Sequence, residues 1–513
     1  MGTYVYTPDN FIKVVLILMR IRVKIPVIMM GETGCGKTTL IEMASKLYNQ
    51  GKSNIKKMNI HAGITDKNII DFIKETNIRV QNEDKKKLNE KINEFISDSE
   101  KNKKAILKNF NNDQDKLFES YKEEIKKRKI WIFFDEINTC NSMGLLTEIF
   151  CNNSIYGEPL DERYRYIAAC NPYRVIEKEN KIFDILYKKN HKKRNLVYTV
   201  NPLPHSLLNF VFNFGSLKEK DETQYIESMI KGASKILFEE MKDKIPLNEE
   251  DQKQLINIQK ECVNICQNYM KKNNDISIVS LREVKRFNIF FKAFVNYLYN
   301  KNNNKIKDFN QNYFQENNFI NYTGKAIYYA ALNLSLFVCY YLRLPNKESR
   351  AELETIFNKS DDLKQYFSDG NFSKIPMMEE DLMLNNFEIP KGIARNRILK
   401  ENIFILFFCI VNKIPLITCG KPGRSKTLSF KILQDSMKGE MSKSIFFKNY
   451  PELIAFKIQG SLNTTSNDIE DIFNKARKYK ENIKGKNVVV YMDEMGLAEI
   501  SENNPLKVIH SEL

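Results

Sequence analysis

Apolar residues fall along this chain in two rhythms. Residues 26–30, Pro-Val-Ile-Met-Met, form a short continuous apolar run, as expected of a strand buried on both faces of a parallel sheet. From Thr38 onward Leu40, Ile41, Met43, Ala44 and Leu47 recur at helical spacing, so the run predicts strand, turn and helix in succession. Lys129–Phe134 and Tyr166–Cys170 predict two more buried strands. The pattern is mostly helical from about Pro204 to Leu298. A polar stretch, Asn300–Asn321, then reads as an exposed loop or boundary. Ala326–Leu342 reads as a buried core helix, because Asn333 and Ser335 interrupt it and it is short for a bilayer span. Pro390–Ile410 leads into a further strand, Pro415–Cys419.

The turn after the first strand is Gly31-Glu32-Thr33-Gly34-Cys35-Gly36-Lys37-Thr38, a complete phosphate-binding loop in the strand-loop-helix context such a loop requires. Backbone N–H groups of this turn, at a helix N-terminus, suit ATP phosphates. Gly31, Gly34 and Gly36 permit the turn, while Thr33, Cys35 and Thr39 complete the cradle. Lys37 offers a compact cation, and Thr38 a hydroxyl for Mg²⁺. Asp135 ends the next buried strand and is the candidate second Mg²⁺ ligand. Glu136 beside it is the candidate base for the attacking water. An acidic pair after a strand also serves as a simple helix cap. Asn171, ending the third strand, is suited to the same water or the γ-phosphate, and is otherwise an ordinary turn residue before Pro172. In the helical region, Arg282 is the candidate sensor of bound ATP, with Arg286 competing one turn later.

A second, altered copy follows. Gly420-Lys421-Pro422-Gly423-Arg424-Ser425-Lys426-Thr427 precedes Asp493-Glu494. Gly420, Gly423, Arg424, Ser425, Lys426, Thr427 and Glu494 are expected to hold nucleotide, with Thr427 and Asp493 on the metal. Ser425 replaces the usual Gly, and its Cβ crowds the phosphate approach if that position needs close contact. The two halves thus form a degenerate internal repeat. Only 19 residues follow Glu494, too few for a third strand and a lid, so the second unit is incomplete as given.

Lys37 and Asp135 lie 98 positions apart, against 67 for Lys426 and Asp493. The excess falls in the charged stretch 81–128, where Leu88, Ile92, Phe95 and Ile96 make a thin stripe. This predicts a helical, hairpin-like insertion, either a docking arm or a solvated spacer. The formal charge of +16 comes from Lys-rich stretches such as Lys188–Arg194 and Lys301–Lys307. No basic stripe interleaved with aromatics appears, so these read as solvated surface and no nucleic-acid partner is expected. Nine Cys with no C-x-x-C pair, and only four His, argue against a zinc module or disulfide framework. They point to a reducing, cytoplasmic compartment. Lys13, Arg20, Arg22 and Lys24 break the apolar N-terminus, which therefore is no signal peptide, and no transmembrane segment is expected.

The segments GETGCGKTTL (31–40), FFDEIN (133–138), AACNPYR (168–174), PLPHSLLNFVFNFGSL (202–217), SLREVKR (280–286), IPKGIARNRILKENIF (389–404), IPLITCGKPGRSKTL (414–428) and MDEMGLAEISENNPLK (492–507) resemble the third and fourth ATPase modules of the mysterin family. Its members are giant ring-finger AAA+ ubiquitin ligases. The resemblance spans nearly the whole chain and implies an α/β fold of tandem P-loop AAA+ modules. The expected layout is a first core over 1–202, an α-helical lid with linking helices over 203–345, a linker over 346–388, and an incomplete second core over 389–513. It also implies ATP and Mg²⁺ as cofactors, neighbouring AAA+ modules as partners, and an arginine reaching the first site from the following module. Ubiquitin machinery enters only through a longer parent, since no ring-finger spacing or transfer Cys is present here. A dynein- or midasin-like mechanical ATPase and a non-hydrolysing nucleotide-gated scaffold are the alternatives.

Overall fold

The computed structural model describes every residue except 1–4, 6, 50, 52, 62, 99, 111, 112, 175–197, 199, 216, 274, 275, 303–321, 361, 362, 364–371, 500–504 and 510–513. The stretch Lys188–Arg194 and nearly all of Asn300–Asn321 lie outside the described residues. The chain divides into two compact units, one of 6–216 with 503–511, the other of 1–5, 217–502 and 512–513.

In the first unit, α1 (Pro8–Arg22) precedes β1 (Val27–Gly31) and α2 (Lys37–Tyr48). The sheet adds β2 (Ile55–Asn59), β3 (Ile130–Asp135), β4 (Tyr164–Cys170) and β5 (Val211–Gly215). The order is β2-β3-β4-β1-β5, and every pairing is parallel. Strands β3 and β4 are apolar and buried almost throughout, as central strands covered on both faces must be. Arg165 is the exception within β4. Its guanidinium is buried, and donates to the carbonyl oxygens of Ile21 (3.1 Å), Glu162 (2.8 Å) and Tyr164 (2.6 Å), so no donor cost is left open there. Because β5 follows residue 202, the core runs past the expected boundary to residue 215.

The long gap between β2 and β3 holds α3 (Asp66–Ser97), α4 (Glu100–Lys108) and α5 (Gln114–Lys126). A capping box of Thr65 and Asn68 starts α3. Its far half folds back on α5 through the edge-on pair Phe95–Phe118 and the ion pair Lys91–Glu124. The insertion is therefore a helical hairpin that grows out of a helix of the core.

The second unit is built on a helical core. It contains α7 (Glu219–Glu240), α8 (Glu249–Asn273), α9 (Leu281–Asn302), α10 (Ala326–Cys339), α11 (Lys347–Lys359), α12 (Lys374–Leu384) and α13 (Arg397–Val411), with α6 (Met143–Asn152) belonging to the first unit. One continuous apolar cluster joins them. Two expectations fail here. The described residues of 346–388 are packed and do not form a linker, with Leu353, Phe357, Phe372 and Met383 buried in that cluster and Phe357 stacked on Phe372. Lys301 is not solvated either: it is buried and paired with Glu379 at 2.7 Å.

Nearby, Glu380 is buried with one carboxyl oxygen unpartnered. Burial, reinforced by the Glu401 carboxylate, pushes its pKa up to about 8. The folded chain thus keeps a proton that the unfolded chain releases at the ordinary carboxylate pKa. This group's contribution is fully present below the unfolded value and fades as pH rises toward about 8. Thermal unfolding at pH 6 and pH 9 should show a fall that Glu380→Gln reduces by several degrees, on the order of 5 °C. An equal pH dependence in both proteins would remove Glu380 as its source.

The sheet of the second unit has two strands among the described residues, β6 (Glu452–Gln459) and β7 (Lys486–Asp493), paired in parallel with Gln459 opposite Asp493. They repeat β2 and β3, where Asn59 lies opposite Asp135. The expected strand Pro415–Cys419 does not form. It has no strand assignment, and Leu416 and Ile417 are exposed. The reason is topological: in the first sheet β1 pairs with β4 and β5, both of which follow the Asp-Glu pair. Among the described residues no strand follows Glu494, and Pro415–Cys419 has no ladder partner.

Candidate nucleotide site

At the first site the P-loop leaves β1 and turns into α2. A Cβ at Gly31 would lie 2.8 Å from the Gly215 carbonyl oxygen, so close strand packing requires glycine there. Gly36 caps α2 with φ 90°, and a Cβ there would meet open space. At Gly36 the loop therefore faces open space and has a backbone conformation that disfavours side chains. Lys37 Nζ donates to the carbonyl oxygens of Gly31 (2.5 Å) and Glu32 (2.9 Å), and lies 3.4 Å from Asn171 Oδ1. Thr38 Oγ1 donates to Asp135 Oδ2 at 3.3 Å, which sets two hydroxyl and carboxylate oxygens side by side. Thr39 is exposed on the first turn of α2, and Cys35 is buried beneath the loop. Burial raises the Cys35 thiol pKa, opposed by Lys37, so it is a packing residue and no thiolate at neutral pH.

Glu136 follows β3 with φ 57° and ψ 42°. A left-handed backbone is uncommon for a residue with a Cβ and costs roughly 1–2 kcal/mol. The second copy repeats it: Glu494 has φ 50°. Asn138, two residues on, donates from Nδ2 to the Asn171 carbonyl oxygen at 2.9 Å, tying the end of β3 to the end of β4.

At the second site Lys426 Nζ donates to Gly420 O (2.6 Å) and Lys421 O (3.1 Å), and Thr427 Oγ1 donates to Asp493 Oδ2 (3.0 Å). Gly423 and Gly34 share φ 77°. Ser425, at φ 57°, adopts the left-handed cap of Gly36 despite its Cβ. The Arg424 carbonyl accepts from Asn402 Nδ2 at 3.3 Å. A cleft of about 700 Å³ opens beside this site, lined by Thr427, Phe430, Lys457, Tyr491 and Asp493 among others.

The structure brings Lys37, Thr38, Asp135 and Asn171 together. Arg282 lies in the other compact unit, exposed at the second position of α9, whereas Arg286 is engaged by Glu283 at 2.9 Å. Sequence reasoning missed four participants. Lys57 on β2 pairs with Asp135 Oδ2 at 3.0 Å. Asn138 anchors Asn171. Arg174 and Tyr198 both engage Glu32. Only register could have found Lys57, which lies two residues before the position opposite Asp135. Among the described residues no cluster of three His, Cys, Asp or Glu side chains is placed to hold a metal alone. A Mg²⁺ here would need phosphate oxygens as well as Thr38 and Asp135, the usual arrangement for nucleotide-borne Mg²⁺.

A P-loop feeding a helix, a facing Asp-Glu pair, and a parallel sheet ordered β2-β3-β4-β1-β5, with the motifs repeated in a second core, define tandem modules of the AAA+ ATPase type. Comparison with known proteins narrows this further. A family model described as "RNF213 AAA domain" matches residues 4–108 and 101–174, and a second of the same description matches 392–513. The E3 ubiquitin-protein ligases rnf213-beta of Danio rerio and RNF213 of Homo sapiens are each 30% identical over 99% of this chain. The Mus musculus RNF213 is 29% identical over the same share. The chain belongs to this mysterin family, as an AAA+ segment. It spans 9% of the length of each of these relatives. Among solved structures, the S. cerevisiae Hsp104-ADP complex aligns with 94% of this chain and 64% of that chain at 11% identity and TM-score 0.22, too low to bear on the fold. No helix among the described residues is long and apolar enough to cross a membrane.

Proposed function

We propose that the first site binds and hydrolyses Mg²⁺-ATP and that the second binds nucleotide, the two forming the nucleotide-responsive part of a longer ubiquitin ligase. The observation that carries this reading is the convergence of Lys37, Thr38, Asp135 and Asn171 in front of the open loop. Lys37, Gly34, Gly36 and the flanking amides would hold the phosphates, with Thr33, Cys35 and Thr39 completing the cradle. Mg²⁺ held at Thr38 and Asp135 would neutralise charge developing on the phosphates. Glu136 would take the proton of the attacking water and Asn171 would orient that water. Arg282 would report the bound state to the lid. At the second site Gly420, Gly423, Arg424, Ser425 and Lys426 would hold phosphates, Thr427 and Asp493 the metal, and Glu494 the place of the base.

Equilibrium binding of ATP with Mg²⁺ tests this. The chain should bind two equivalents, Lys37→Ala and Lys426→Ala one each, and the double variant none. Two equivalents bound by the double variant would refute both sites.

A further inference from the structure

The residue after the first P-loop glycine is a carboxylate, beside the place where the proposed reading puts a polyanionic phosphate chain. Glu32 is largely withdrawn from solvent, its side chain 16% exposed. Two residues hold it. Arg174, three positions beyond Asn171, approaches through Nε 3.3 Å from Oε1 and Nη2 3.4 Å from Oε2. Tyr198 donates its hydroxyl to Oε2 at 2.6 Å, and the same hydroxyl oxygen lies 3.4 Å from the Thr33 N–H. Burial and the Glu32 bond both raise the Tyr198 pKa, consistent with a phenol that stays a donor. In the second loop the position of Glu32 is Lys421, which needs no such neutralisation.

We propose that Arg174 and Tyr198 are positioning residues that act through Glu32: they neutralise its carboxylate and hold it away from the phosphate cradle, so that the first loop tolerates an acid at its second position. The inference rests on the nucleotide reading of this site. Its physical basis is that a charge a few ångströms from a phosphate, in a partly desolvated site, changes affinity by about tenfold when left unpaired. Salt screens that penalty.

The test is equilibrium binding of a fluorescent ATP analogue with Mg²⁺ to the full chain carrying Lys426→Ala, so that the first site alone reports. Arg174→Ala should weaken binding about tenfold at low salt, and less at high salt. In the Glu32→Gln background the same Arg174→Ala change should cost less than about twofold. Tyr198→Phe should show a smaller loss with the same dependence on Glu32. A loss at Arg174 that persists beside Glu32→Gln would mean that the guanidinium serves the nucleotide directly, and no loss at all would mean that Glu32 needs no neutralising; either overturns the proposal. Lys37→Ala on the same background separates the two claims. If it leaves binding intact, the nucleotide reading fails and the proposal with it; if it abolishes binding, the Arg174 and Glu32 cycle alone decides.

Discussion

Glu136→Gln is expected to leave ATP bound at the first site while lowering turnover by at least ~10²-fold. The amide keeps the size and hydrogen-bonding reach of the carboxylate but cannot accept a proton. It also keeps the left-handed backbone at φ 57°, so the substitution changes proton chemistry with little change in shape. The same strained conformation at Glu494 argues that the turn aims the acid outward from the strand, since two unrelated accidents at equivalent positions are a poor explanation of a costly geometry. Phosphate release in single and multiple turnover, beside nucleotide retention on a gel-filtration column, measures both halves. Unchanged release would remove Glu136 as the base.

Phe294→Ala should be the most damaging single change in the second unit, at ~3–5 kcal/mol. The ring is fully buried, with its centroid 4.5 Å from Phe408, 6.1 Å from Phe404 and 6.1 Å from Phe290. It joins α9 to α13, and so ties the helical region to the helix that leads into the second P-loop. Urea unfolding followed by far-UV circular dichroism should show the midpoint falling for the helical signal as a single transition. Phe294→Leu, which leaves a smaller cavity, should cost less than half as much. A cost below ~1 kcal/mol for the alanine variant would mean that α9 and α13 are stabilised separately.

Much of the first core was legible because its signals are local. Continuous apolar runs gave β1, β3 and β4, and the P-loop and acidic pair fell at their ends. The fifth strand, Val211–Gly215, was hidden in a stretch that reads as helical, since it follows the short helix His205–Leu208 with only a two-residue turn at Asn209 and Phe210 between them. Pro415–Cys419 shows the opposite error: an apolar run is a strand only where neighbours supply its hydrogen bonds. The packed 346–388 region failed for a third reason. Its apolar residues Leu353, Phe357, Phe372 and Met383 are sparse and separated by charged positions, and their burial depends on partners far along the chain. The same long-range dependence hid Arg174 and Tyr198, whose carboxylate partner lies more than 140 positions away.

The two-stranded sheet of the second core has a consequence for handling the protein. Strand β7 has eight residues and leaves a ladder edge open among the described residues, and the same core exposes Leu416 and Ile417. An unpaired strand edge is a template for strand addition from another molecule. Concentrated solutions should therefore thicken into soluble aggregates and then gels, with a gain in thioflavin-type fluorescence, long before the helical unit unfolds.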